Sequence, residues 1–412
     1  WSKLAMTFPK SKITALIGIV SMLPCFYMKR ILIFSTNYFP RVGGAEVAVM
    51  EITDRIAPAD ISFDMVTARI SRDCPRSERI GNVMVYRVGF GTRFDTFLLP
   101  VLGAIKARGL HRKHQYDAFW AIMASQGGIA AVIAKALCGK PKLVLTLQEG
   151  DEEEHLMRYV GGSGILYRIF IRPWHILPMR KADIVTAISN YLIERAVKNG
   201  VPPRKITLVP NGVDVGQFAV KISKDKVQET RNALGVDEGE KIIITTSRLV
   251  KKNAIGDLID ALKYLPENVK LIIAGVGPEE ETLKAKAHKF RGRVKFLGTV
   301  RHKELPPYLQ VADVFVRPSI SEGMGNSFIE AMAAGVPVVG TPVGGIPDFL
   351  IHEETGLFCA ARDPRSIAEQ VVRALEDEPL RKKIVANAQK MVAEHYDWNT
   401  IAQQMKKQIA GY

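Results

Sequence analysis

Short apolar runs alternate with helix-spaced stretches along this chain, and the alternation occurs in two successive series. The first series comprises Ile31–Ser35, Ile61–Thr67, Val83–Val88, Ala118–Met123, Leu143–Leu147 and Ile184–Ala187. The second comprises Lys241–Ser247, Val269–Ala274, Val294–Phe296, Val314–Val316 and Val336–Val339. A strand covered by helices on both faces needs no polar side, so it reads as near-continuous Val, Ile and Leu. Strands separated by helices run parallel in a doubly wound sheet, and ligands gather at the carboxyl ends of such strands. Two series therefore predict an α/β chain of two domains. Its 412 residues agree, being more than one hydrophobic core normally holds. The charged, uneven stretch Lys221–Glu240 marks the crossing and puts the domains at 28–215 and 216–395. Helices are expected over Ala45–Ile56 and Ser189–Leu208, and an amphipathic helix runs from Tyr396 to Ile409.

The segment Ser319–Val339 carries the most chemistry. Glu322 and Glu330 lie eight positions apart across the turn Gly323-Met324-Gly325-Asn326, with a short apolar helix and a buried strand behind them. Asn326 is the expected N-cap, Gly335 sits where a left-handed C-cap belongs, and Pro337 stops the helix. Glu322 thus falls on the loop, and Glu330 about one turn inside the helix. The amides of Gly323, Met324, Gly325 and Asn326 are available to an anion, helped by the positive end of the helix dipole. Spare donors flanked by two acceptor-only carboxylates suit a ligand with both phosphate and sugar hydroxyls, which is a nucleotide sugar.

Other groups fall at strand ends. Gly43 and Gly44, within Arg41-Val-Gly-Gly-Ala-Glu46, follow the first strand and let backbone approach a ligand closely. Arg248, Lys251 and Lys252 follow the first strand of the second series. Fixed cations there stabilise the charge that grows on a departing diphosphate. Gly275 and Gly277 form a turn after the next strand, and Gly298 and Val300 follow the one after that. No Asp-x-Asp motif stands at a strand end, so no metal site is expected.

Together with these motifs, the run from Pro318-Ser319 through Glu330-Ala-Met-Ala-Ala-Gly335-Val-Pro-Val-Val339 resembles the Glu-x7-Glu signature of family 4 retaining glycosyltransferases. The resemblance extends from Met28 to the C-terminus. It implies the GT-B fold, two Rossmann-like domains facing across an interdomain cleft, with the final helix (396–412) returning to the N-terminal domain. It also implies that the first domain binds the acceptor and the second the donor. Gly43 and Gly44 would lie near the donor phosphates. Arg248, with Lys251 or Lys252, would hold the diphosphate, beside the Gly275–Gly277 turn. The backbone of Gly298 and Val300 would read the nucleobase. Glu330 would bond the ribose hydroxyls, Glu322 those of the transferred sugar, and the Gly323–Asn326 backbone would complete the cradle. Glu46, Glu149 and Asp151 are assigned to the acceptor side.

One residue departs from the family pattern. Many relatives carry His two positions beyond the residue matching Thr146, where this chain has Gln148. An amide can donate to a sugar hydroxyl but does not titrate near neutral pH. A front-face transfer, in which the leaving phosphate itself takes the acceptor proton, loses least from that change. Glu322, Arg248, Lys252 and Gln148 form the expected catalytic set.

A formal net charge of +15 calls for anionic partners. With no nucleic-acid motif in the chain, the expected partners are the donor phosphates and an anionic membrane surface presenting a lipid-linked acceptor. The stretch Gly91–Tyr116 sets Phe94, Phe97, Leu98 and Leu99 beside Lys106, Arg108, Arg112 and Lys113. It reads as a surface helix at such an interface, or as a core helix with a basic outer side. Tyr167–Trp174 reads in the same two ways. Cys25, Cys74, Cys138 and Cys359 are scattered without metal-binding spacing, as in a reduced cytoplasmic chain. Residues 1–27 read as an extension, signal-like or a non-native start, with Met28 the expected native beginning. The acidic run Asp151–Glu154 reads as a solvated helix start, and His155, His175, His302 and His395 as structural.

The expected activity is transfer of a hexose-type sugar from a UDP- or GDP-linked donor to a hydroxyl of a glycan or lipid-linked saccharide, with no cofactor. The alternatives are a sugar-phosphate synthase, a nucleotide-sugar hydrolase or epimerase of the same fold, and a non-catalytic nucleotide-sugar-binding subunit.

Overall fold

The computed structural model describes residues 28–40, 43–148, 163–166 and 172–411. The expectations for residues 1–27, Arg41, Glu149, Asp151, the acidic run, His155 and residues 167–171 lie outside the described residues.

Two sheets, parallel except for one edge strand, form the molecule. The first contains β1 (Lys29–Phe34), β2 (Ile61–Ala68), β3 (Ser77–Ile80), β4 (Val83–Val88), β5 (Ala118–Ile122), β6 (Lys142–Leu147), β7 (Ile184–Ala187) and β8 (Ile206–Leu208). Their order is β3-β4-β2-β1-β5-β6-β7-β8. The second contains β9 (Lys241–Thr246), β10 (Val269–Ala274), β11 (Val294–Gly298), β12 (Val314–Arg317), β13 (Val338–Gly340) and β14 (Leu357–Phe358), in the order β11-β10-β9-β12-β13-β14. This is the GT-B arrangement the sequence motifs implied, with helices on both faces of each sheet.

Period-two alternation sends successive strand residues to opposite faces, and both faces are apolar. Ile31 and Ile33 join Ala48, Val49 and Ile52 of helix Gly44–Asp54. Leu32 and Phe34 join Leu99, Ala104 and Ala107 of helix Asp95–His114 on the other side. In the second sheet Ile243 packs with Leu258 and Val371, while Ile242 and Ile244 share a core with Phe328, Ile329 and Met332. The last helix, Trp398–Ala410, buries Trp398, Ile401, Met405 and Ile409 against the first domain. Burial of each such side chain contributes about 1.5–3 kcal/mol. The return crosses beside the linker, where the Val213 N–H donates to the Tyr396 carbonyl at 2.8 Å.

Three expectations need correction. β3 pairs antiparallel with β4, so the first sheet is not purely parallel. Its sequence Ser-Glu-Arg-Ile lies at the solvent edge and carries no apolar run to betray it. The helix expected over Ser189–Leu208 ends at Lys198. Gly200 follows in the left-handed region at φ +88°, and Pro202 and Pro203 cannot continue a helix, so the chain turns into β8. β14, only two residues long, has no counterpart in the sequence reading.

Candidate active site

The carboxyl ends of β9, β10 and β11, with helix Asn326–Ala333, surround a cavity of about 290 Å³. Arg248, Gly275, Val276, Thr299, Val300, Ser327 and Glu330 line it, together with Thr246, Ser247 and Leu305. Two residues of the Glu-x7-Glu helix therefore share one hollow with the expected cation and with the expected nucleobase strand.

Glycine is required where these loops touch. Gly275 has φ +141°, and a Cβ there would lie 1.9 Å from the Ser247 carbonyl oxygen. A Cβ at Gly277 would lie 2.3 Å from the Leu249 carbonyl oxygen. The bare backbone lets the loop after β10 run alongside that after β9, where Leu249 N–H donates to Val276 at 3.0 Å. The Gly275 N–H reaches the Gly298 carbonyl at 2.7 Å, which brings in the end of β11.

The glutamate loop is held from below by an arginine that the sequence reading passed over. Arg317, at the end of β12, donates from Nη2 to Glu322 Oε2 at 2.5 Å and to Asn253 Oδ1 at 3.2 Å. Its Nη1 donates to Ser327 Oγ at 2.8 Å. Arg317 and Glu322 are 11% and 13% exposed, so this ion pair is largely out of water. Asn253 in turn donates to the Arg248 carbonyl at 2.6 Å and to Ser247 Oγ at 3.1 Å. One guanidinium thus ties the cation loop to the glutamate loop. The Lys252 carbonyl adds a tie by accepting from Ile320 N–H at 2.7 Å. Lys252 is half-buried beside the glutamate loop, and Lys251 is exposed.

Helix Asn326–Ala333 begins one residue earlier than a side-chain cap at Asn326 requires. The N-cap is Gly325, at φ +97°, and it carries no side-chain cap. The Asn326 side chain is instead used across the cleft: its Oδ1 accepts from Asn211 Nδ2 at 3.2 Å. Amides that precede or open a helix have no carbonyl one turn back to bind, so the anion-facing role expected of residues 323–326 is compatible with this geometry. Met324 is buried, and its Sδ accepts from Asn211 N–H at 3.3 Å. Gly335 takes the expected left-handed conformation, φ +78°.

Glu330 is buried within the helix, and its Oε1 lies 3.0 Å from His302 Nε2. His302, read in the sequence as structural, is thus paired with Glu330. The bond to Glu330 raises the imidazole pKa against the opposing effect of burial, and the charges of Glu51 and Asp214 add to the rise. His175 behaves in the opposite way. Burial and the neighbouring Arg195 push it down to about 4, so it stands neutral beside Gln148 and Leu147.

Across the cleft, the first domain presents Gly43 and Gly44 at the start of helix Gly44–Asp54. A Cβ at Gly44 would sit 3.6 Å from Asn326 Nδ2, so the two glycine-containing loops face each other. Glu46 turns its carboxylate back onto Gly43 N–H at 2.8 Å and closes its own helix terminus. Burial pushes its pKa up, opposed by the Glu46 and Gly43 amides and by the charge of Arg248. Gln148, at the end of β6, pairs with Asn211 amide to amide at 3.1 and 3.0 Å. Asn211 therefore joins Gln148 of one domain to Asn326 of the other. In sequence it is only one residue of Pro210-Asn-Gly-Val-Asp214, with no sign of its partners. Among the described residues no group of three or more His, Cys, Asp or Glu is placed to hold a metal ion.

Comparison with known proteins fits this geometry. The model for the glycosyl transferase 4-like domain matches residues 43–212, and that for glycosyl transferases group 1 matches residues 226–391. The chain is 28% identical over 377 residues to N-acetyl-alpha-D-glucosaminyl L-malate synthase of Bacillus anthracis, covering 89% of this chain and 93% of that protein. It is 26% identical over 406 residues to a GDP-mannose-dependent alpha-(1-6)-phosphatidylinositol monomannoside mannosyltransferase of Mycobacterium tuberculosis, covering 93% and 99%. Among solved structures, Anabaena HepE in complex with UDP and glucose superposes with a TM-score of 0.75 at 22% identity, over 94% and 100% of the two chains. Sucrose-phosphate synthase from Thermosynechococcus elongatus superposes at 0.77, also at 22% identity, over 93% and 98%. At those identities the structural likeness concerns the fold. The two family models between them span both domains, and the chain belongs to the family 4-type glycosyltransferases.

Proposed function

We propose that this glycosyltransferase retains anomeric configuration and moves a hexose-type sugar from a UDP- or GDP-linked donor to a hydroxyl of a glycan or lipid-linked saccharide. The observation that carries the reading is the cavity in which Arg248, Gly275, Val300, Ser327 and Glu330 converge. Glu330 bonds the ribose hydroxyls and the strand end at Gly298–Val300 meets the base. Arg248, Lys252 and the amides of residues 323–326 hold the diphosphate. Glu322, with Oε2 pinned by Arg317, offers Oε1 to the transferred sugar. The second domain, 216–395, binds donor and the first, 28–215, binds acceptor.

In the transfer, the bond from the anomeric carbon to the phosphate oxygen breaks and the acceptor oxygen attacks from the same face. The acceptor proton passes to the leaving phosphate. Negative charge grows on the diphosphate, and pre-positioned cations and amides stabilise it most in the transition state. Gln148 donates to the sugar and does not act as a base. Neither metal nor cofactor takes part in this scheme. The relatives named for GDP-mannose and for an N-acetylglucosaminyl product support a nucleotide-sugar donor. The enzyme works at the cytoplasmic face of a membrane; no described helix is long and apolar enough to cross one.

The test is to incubate the protein with UDP- and GDP-sugars, with and without saccharide acceptors and with EDTA, and to follow nucleoside diphosphate release and product anomery. Release that depends on acceptor, survives EDTA and gives the donor's anomeric configuration is the expected result. Binding without release, unchanged in Glu322→Ala, identifies a binding subunit instead. Release with a sugar phosphate as the sole effective acceptor identifies a synthase.

A further inference from the structure

Helix Asp95–His114 has two unlike faces. The inner one is made of Leu99, Gly103, Ala104, Ala107 and Leu110, whose small side chains let it lie close to helix Gln126–Cys138. The outer one changes character along its length. Phe94, Phe97, Leu98, Val101 and Ile105 follow one another at helical spacing and are 75%, 66%, 40%, 59% and 61% exposed. The same stripe continues through the exposed Lys106, Arg108, Arg112 and Lys113. The helix has a single acid, Asp95, which is buried and accepts from the N–H groups of Phe90, Gly91 and Thr92. No acidic side chain of this helix neutralises the basic half.

A cavity of about 440 Å³ adjoins the stripe, lined by Val88, Phe90, Leu102 and Ile105, with Arg76 and Lys106 at its rim. Phe90 is itself 66% exposed. Exposed aromatic residues in such density are costly in water and mark a contact surface. Cations next to them select an anionic occupant and oppose packing against a second copy of the same basic face.

We propose that this outer face seats the enzyme on an anionic phospholipid bilayer. Phe94, Phe97, Val101 and Ile105 enter the acyl boundary, and Lys106, Arg108, Arg112 and Lys113 lie along the headgroup phosphates. The helix follows β4, which runs parallel to β2 and β1, so its apolar end lies at the same edge of the sheet as the Gly43–Gly44 loop. Docked this way, the cleft opens towards the surface from which a lipid-linked acceptor is drawn. The inference rests on the membrane-facing part of the proposed function and names the surface responsible.

The full chain is sedimented with vesicles of phosphatidylcholine alone and with vesicles containing 30% phosphatidylglycerol. Binding to the anionic vesicles at least tenfold tighter, and weakening with salt, is expected, since each basic side chain near such a surface contributes about fivefold. Phe97→Ser combined with Val101→Ser should lower binding at least tenfold, and Lys106→Glu with Arg108→Glu should do the same at low salt. Both variants should keep the wild-type melting temperature and release nucleoside diphosphate from a water-soluble acceptor assay at the wild-type rate. Equal binding by variants and wild type, no binding to either vesicle, or a concentration-dependent dimer abolished by Phe97→Ser overturns the proposal. Vesicle binding by a protein that never turns over donor leaves the surface standing and removes the catalytic reading.

Discussion

The two walls of the cleft are built differently. On the second-domain wall, which the proposed function gives to the donor, buried polar side chains are fastened to one another: Arg317 to Glu322, Ser327 and Asn253, Asn253 to the Arg248 loop, and Glu330 to His302. On the first-domain wall, which the proposed function gives to the acceptor, Gly43 and Gly44 offer backbone, Glu46 caps its own helix, and Gln148 reaches Asn326 through Asn211. Under the proposed function this contrast is useful: a nucleoside diphosphate is the same object whatever sugar it carries, so a rigid, pre-organised wall suits it. An acceptor varies, and a wall tied to its opposite by a few amide bonds can close on different partners.

The contrast is broken most severely at Arg317. Arg317→Ala leaves Glu322 buried without its cation, and about 3–5 kcal/mol of stability should be lost, read from urea denaturation. A double variant with Glu322→Gln should recover part of that loss. Additive losses instead would show that the pair is not coupled and that the donor wall is no tighter than the acceptor wall.

Arg248→Ala tests the same wall by rate. Loss of about 2–4 kcal/mol of transition-state stabilisation is expected, by comparison with removing one oxyanion donor, and appears in kcat for nucleoside diphosphate release. An unaltered kcat removes Arg248 from the diphosphate site.

Asn211→Asp probes the tie between walls. A carboxylate accepts from Gln148 Nε2 but has nothing to donate to Gln148 Oε1 or Asn326 Oδ1, so about 1–3 kcal/mol should go from closure. That loss should fall on kcat/KM for both substrates together, measured at saturating and limiting acceptor. A change confined to KM for acceptor would place Asn211 on the acceptor wall alone.

The smallest effect belongs to His302. Its folded-state pKa is raised by Glu330, so its stabilising contribution is complete below the ordinary imidazole value of about 6.5 and is lost as pH rises through the folded value. The stability difference between wild type and His302→Gln should therefore be widest on the acid side and shrink on the alkaline side. A difference that is flat with pH, in melting curves across pH 5 to 9, about the range in which histidine titrates, would mean that the pair is not ionic.

The parallel strands were legible because each is a run of apolar residues bounded by turns, and β2, β4, β7 and β10 lie where the pattern put them. The paired glutamates, Arg248 and the glycines at 275 and 298 stand out in the sequence by local spacing, and the structure brings Arg248, Gly275 and Glu330 to one cavity. β3, β8 and β14 were not legible: β3 is a polar edge strand, β8 three residues inside the span expected to be helical, and β14 two residues long. His302 and Asn211 escaped for another reason. Their partners are 28 and 115 positions away, and no periodicity in a single chain registers a contact at that range.

The order of residues by itself determined two doubly wound sheets and the glutamate loop, because hydrophobic period and turn chemistry act over a few neighbours. Only the packing of one sheet against the other decided that Arg317 would grip Glu322, that His302 would face Glu330, and that Asn211 would bridge the cleft. Those pairings arise from side chains removed from water together, where a polar group must find its partner among whatever the fold has brought within reach.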